Sequence, residues 1–129
     1  MSTRATGTFT VMFEPLHTDE EALGRMLVNK KITGDLVGEG RAEMLSIGTP
    51  VEGSAAYVAI DQIRGTLHGR KGSFVLQHSG LMARGEGALN VVVVPDSGTD
   101  DLVGLRGDFH IENVAGEHTY VFDYDIDPT

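Results

Sequence analysis

Two residues of this chain occupy positions where proton chemistry could be done, Asp61 and His78. On the two-residue period of a β-strand, His78 shares a face with Phe74 and Leu76, the most apolar face of its segment. A histidine there is either a hydrogen-bonded core residue or a residue of a pocket. Asp61 alternates with Tyr57, Ala59 and Ile63 and faces the same way as they do. An inward carboxylate must be paired or protonated, because burying an unpaired charge costs several kcal/mol. A structural partner on a neighbouring strand satisfies that demand; so does an acid or base that works on a substrate. The segment LHGRKG joins the two strands and reads as a tight hairpin, with Gly69 able to take the positive φ of a type II′ turn. If Gly69 and Arg70 form the loop, His68 pairs with Lys71 and Asp61 lies directly opposite His78. A loop longer by two residues would place Ile63 opposite His78 instead. Directly opposed residues have Cβ atoms about 4.5–5.5 Å apart, so a carboxylate can accept from an imidazole N–H.

The other candidates are weaker. His68 falls in a turn, His17 and His118 lie beside acidic loops, and His110 shares a polar face with Arg106, Asp108 and Glu112. No cysteine is present, so disulfides, thiol nucleophiles and thiolate metal sites are excluded. The histidines have no metal-ligand spacing. The acidic runs at 96–101 and 123–127 lack the ligand order of a calcium loop. The glycines of GDLVGEG do not match a dinucleotide fingerprint, and no G-x-S-x-G is present. No metal and no cofactor is therefore expected. Tyr120, Phe122, Tyr124 and Ile126 form an aromatic stripe that suits a core or a dimer surface. In a hollow barrel the same stripe would line an apolar cavity, with a tyrosine hydroxyl as its polar handle. Tyr57, Phe74, Leu76, Phe109, Tyr120 and Tyr124 are the expected ligand-wall residues.

The elements that must position these groups are strands. Phe9, Val11 and Phe13 share a face of the first; Met26, Val28, Lys30 and Ile32 mark the second. A bend over residues 34–40 leads to a strand at 41–47. Further strands follow at 55–67, 73–82, 88–94, 105–113 and 118–126. Glycine, 17 of 129 residues, is spread between these runs as turns and bulges. Helix is confined to residues 20–27, which could make two turns after Thr18, and to one short turn at Thr99-Asp100-Asp101-Leu102. Seven or eight long twisted strands tend to close, which removes exposed edges. The expected architecture is all-β, an antiparallel closed barrel of about eight strands formed by a single domain spanning 1–129.

Ten Lys+Arg against nineteen Asp+Glu give a net charge of −9, which opposes binding to nucleic acid or to an anionic membrane surface. No stretch approaches the length of an apolar membrane span, and the first residues lack the apolar core of a secretory signal. A cytoplasmic protein is expected.

The segment AAYVAIDQIRGTLHGRKGSFVLQHSG at 55–80, VVVVPDSGTDDLVGLRGDFHI at 91–111 and the closing HTYVFDYDI at 118–126 resemble the bacterial family known as domain of unknown function 3224. ATGTFTV at 5–11 and KKITGDLVGEGRAEML at 30–45 fit as well. The resemblance spans nearly the whole chain. It implies a β-barrel like that of allene oxide cyclase, often paired as a homodimer; the family has no established biochemical role. This chain has Asp61 where such proteins usually carry Glu, and Asp100-Asp101 where they commonly have Gly-Glu. The shorter side chain reaches about one methylene less far.

The expectation that follows is a small barrel holding an apolar organic molecule. One reading is a cofactor-free isomerase, cyclase or lyase in which Asp61 or His78 moves a proton. The alternatives are a non-catalytic carrier of a hydrophobic metabolite, or a structural barrel filled by its own side chains.

Overall fold

The computed structural model describes residues 2–17 and 23–127, without the side chain of Val114. Eight antiparallel strands run in chain order around a closed barrel: β1 (Thr3–Pro15), β2 (Leu23–Gly34), β3 (Leu36–Gly48), β4 (Ala55–Leu67), β5 (Arg70–Ala83), β6 (Glu86–Val93), β7 (Leu105–Val114) and β8 (Glu117–Ile126). β1 closes the ring by pairing with both β2 and β8. Seven of the seams are continuous ladders, but β6 and β7 are joined at a single pair, Val92 with Asp108. A 3₁₀ turn (Asp100–Leu102) is the only helical element among the described residues. The Ser73 N–H donates to Thr99 Oγ1 at 3.0 Å and thereby ties this loop to β5. Leu102 is fully buried, so the loop plugs one end of the barrel.

Two local expectations need correction. Of the helix expected over 20–27, residues 20–22 lie outside the described residues, and 23–27 belong to β2. Their ladder with Ile47–Glu43 of β3 overrides a helical preference that Gly24 already weakens. The bend expected over 34–40 shrinks to Gly34 and Asp35, with Gly34 at φ +104°. Gly38 instead lies within β3, paired with Gly65 of β4, where a Cβ would meet Gly65 Cα at 2.7 Å. Its role is close approach of two strands, not a turn.

The β4–β5 hairpin also differs from expectation. Its loop is His68–Gly69, flanked by the pair Leu67–Arg70. Both loop residues have positive φ (46° and 81°), the type I′ arrangement rather than type II′. The loop keeps its length but sits one residue earlier, so every pairing shifts by two. Asp61 stands opposite Leu76, and Ala59 stands opposite His78.

Candidate functional site

Strand alternation divides the interior into two unlike halves. Toward the plugged end, Leu36, Ile63, Leu67, Phe74, Leu76, Phe122 and Leu102 pack into a continuous core. Toward the other end lies an open cavity of about 560 Å³, lined by residues of all eight strands. Its wall includes Phe9 and Phe13 of β1, Val28 of β2, Met44 of β3, Tyr57 and Ala59 of β4, and Met82 of β5. Ile111 and His118 complete it from β7 and β8.

A polar layer separates the halves. Asp61, 0% exposed, accepts from Lys30 Nζ at 2.8 Å and from His78 Nε2 at 3.1 Å, both on Oδ2. Lys30 lies on β2 and Asp61 on β4, with β3 between them. They meet because β3 presents only Gly40 and Ala42 inward at that level. A Cβ on Gly40 would lie 3.0 Å from Asp61 Oδ1 and 2.8 Å from Ile63 Cδ1. Asp61 and His78 touch as diagonal neighbours on adjacent strands, a separation that longer side chains bridge. Lys30 and His78 line the cavity, while Asp61 stands behind them. Lys30 Nζ also sits 5.3 Å from the centroid of the Phe9 ring, and His118 stacks on that ring at 5.2 Å.

The electrostatics fix the protonation pattern. Burial pushes the Asp61 carboxyl up, but the His78 hydrogen bond and the Lys30 charge outweigh it and hold it below the usual carboxylate range. Asp61 is therefore an acceptor, and His78 must present its Nε2–H to it. In the neutral imidazole Nδ1 is then the basic nitrogen. Asp61 Oδ1 is the one buried side-chain polar atom without a partner among the described residues.

The expected ligand wall is only partly realised. Tyr57 lines the cavity, its ring lying across Gly80, where a Cβ would come within 2.8 Å of ring carbons; burial raises its phenol pKa. Phe74, Leu76, Phe109, Tyr120 and Tyr124 do not line it; they belong to the packed half. Phe109 stacks on Tyr120 at 5.0 Å, and Phe74 on Phe122 at 5.8 Å. Neither tyrosine hydroxyl is available as a ligand handle. Tyr120 Oη accepts from the Leu36 N–H at 3.0 Å and donates to the Thr33 carbonyl at 2.9 Å. Tyr124 Oη meets His68 Nδ1 at 2.6 Å, and His68 Nε2 lies 3.6 Å from Asp35. That second cluster pins the β4–β5 turn to the plugged end. His110 is exposed beside Asp123. Reading residues singly misses Lys30 and His118. Lys30 shares its strand face with Val28 and Ile32, and that alternation was the available signal. No group of three or more His, Asp or Glu residues able to hold a metal occurs among the described residues. No helix there is long and apolar enough to cross a membrane.

Fold and site together define a class: a closed eight-stranded antiparallel barrel, filled at one end and hollow at the other, with a buried Lys–Asp–His layer between. The chain belongs to the family of proteins of unknown function DUF3224, which it matches over residues 5–124. It is similar to the crystal structure of a protein of unknown function from that family from Shewanella oneidensis MR-1. The two share 42% identity and a TM-score of 0.96, with 100% of each chain covered. No curated protein matches the chain.

Proposed function

We propose that this barrel holds an apolar organic molecule in its open half and that His78, oriented by Asp61, exchanges a proton with it. The observation that carries the reading is the polar floor of an otherwise apolar cavity. Lys30 and His78 reach the cavity while the carboxylate that orders both stays behind them. The volume falls in the range of small-molecule sites, about 300–1,000 Å³. A buried carboxylate that fixes the tautomer of an imidazole leaves the far nitrogen as a base. An ammonium beside it faces negative charge that develops on the ligand as the proton leaves. This chemistry is that of a cofactor-free isomerase, cyclase or lyase.

The test has two parts. A fluorescent apolar probe such as Nile red is expected to bind saturably, and Ala59→Phe, which fills the cavity, is expected to abolish binding. His78→Gln is expected to retain binding but to lose exchange of deuterium from heavy water into a bound ligand. Absence of saturable binding, or binding indifferent to Ala59→Phe, would overturn the cavity reading. Exchange that survives His78→Gln would remove His78 from its role, and saturable binding with no exchange in the wild type would leave the carrier reading, in which the cavity binds without chemistry.

A further inference from the structure

The charge balance of the polar layer restricts what the cavity can accept. Lys30 contributes one positive charge and Asp61 one negative charge, in direct contact at 2.8 Å. His78 adds none while neutral. The other groups facing this layer are His118 from β8 and the phenol of Tyr57 from β4; neither supplies a fixed charge. The remaining lining is aliphatic or aromatic apart from Ser46. The layer thus holds strong donors with no net charge to neutralise.

From this balance we infer that the natural ligand is an uncharged apolar molecule carrying a carbonyl-type oxygen, bound through that oxygen to Lys30 Nζ. The inference rests on the cavity reading above. Lys30 spends one N–H on Asp61, and the ammonium has others to offer. A ketone, aldehyde or ester oxygen accepts one of them without altering the charge of the site. A carboxylate of the same shape would bring an uncompensated negative charge beside Asp61 in an apolar chamber, where such charges are poorly tolerated. It could enter only with a proton, and His78, already in contact with Asp61, is the group placed to take it up. Carboxylate binding and proton uptake are therefore linked, whereas carbonyl binding is not. A plain hydrocarbon would leave the Lys30 donors unanswered and would bind more weakly than the carbonyl compound.

Three ligands of one shape test this on the wild-type protein: 2-acetylnaphthalene, 2-naphthoate and 2-ethylnaphthalene, titrated calorimetrically at several pH values and in buffers of different ionisation enthalpy. The ketone is expected to bind at least about tenfold more tightly than the carboxylate at pH 8, with no proton taken up. The carboxylate is expected to bind with uptake of one proton, so its affinity falls as pH rises. Carboxylate binding as tight as the ketone at pH 8 without proton uptake would overturn the inference. A hydrocarbon bound as tightly as the ketone would also overturn it, while leaving the cavity reading intact. Failure of all three to bind would remove the cavity reading and the inference together.

Discussion

Replacing Lys30 by Met removes one charge from the polar layer and little else. The methionine stem follows much of the path of the lysine methylenes, so the change is chiefly electrostatic. The lysine side chain is 10% exposed and its partner Asp61 0%, so the pair is screened little by solvent. Removing one partner of such a pair leaves an uncompensated buried charge and costs about 3–5 kcal/mol. Against the usual domain stability of about 5–15 kcal/mol, that loss would lower the melting temperature by about 10–18 °C. The assay is chemical and thermal denaturation of Lys30→Met, Asp61→Asn and the double variant at pH 7. The double variant buries no charge, so it is expected to be more stable than the sum of the single losses predicts, by about 2–3 kcal/mol. The pH dependence has a definite sign. The Asp61 carboxyl is held below its ordinary value in the fold. Its contribution is therefore present above about pH 4 and is lost as pH falls through the lower folded-state value. Asp61→Asn should lack that acid-side loss. A Lys30→Met protein within about 1 kcal/mol of the parent, or strict additivity in the double variant, would refute the description of this layer as a coupled buried cluster.

Other substitutions test the surrounding structure. Gly40→Ala places a methyl against Asp61 Oδ1 and Ile63 Cδ1 and is expected to cost about 1–3 kcal/mol, read by urea denaturation. Tyr124→Phe removes the bond to His68 and is expected to cost about 0.5–1.5 kcal/mol without changing probe binding, because that bond lies in the filled half. The thin β6–β7 seam predicts early hydrogen exchange in β6 by mass spectrometry; protection equal to that of β4 would count against it. A homodimer, if formed, must use another surface than the buried Tyr120–Phe122–Tyr124 stripe. The exposed Leu45, Ile47, Val58 and Ile60 on the outer face of β3 and β4 favour that location. Ile60→Glu is then expected to lower the mass seen by light scattering from two chains to one.

Closure and strand count are legible in the sequence because they depend on local alternation and on turns. The bounds of β4 at 55–67 follow from uninterrupted alternation, and the short turn at 100–102 from its acidic opening. Glycine is harder to read, since Gly38 and Gly34 are the same letter with opposite uses. Gly34 turns the chain at positive φ, whereas Gly38 lets β3 approach β4. The β2 start is obscured for a different reason: residues 23–27 gain their extended form from a ladder with β3, a partner some twenty positions away.

The site shows where such reasoning reaches its limit. The face shared by Asp61 and His78 depends only on parity, and a hairpin shifted by two residues preserves parity while changing the opposed pair. The contact survives as a diagonal because carboxylate and imidazole together span the gap. The Lys30–Asp61 contact needs more, since it passes over β3 and depends on how far three strands are staggered. Local periodicity carries no information about that stagger. It also cannot tell which half of the barrel is filled, because the plug comes from Leu102 in a loop remote from the stripe it covers. An aromatic face therefore marks the interior without marking the cavity. The polar layer marks the boundary: each ionisable member needs partners from other strands, and those partners are found together at one level of the barrel.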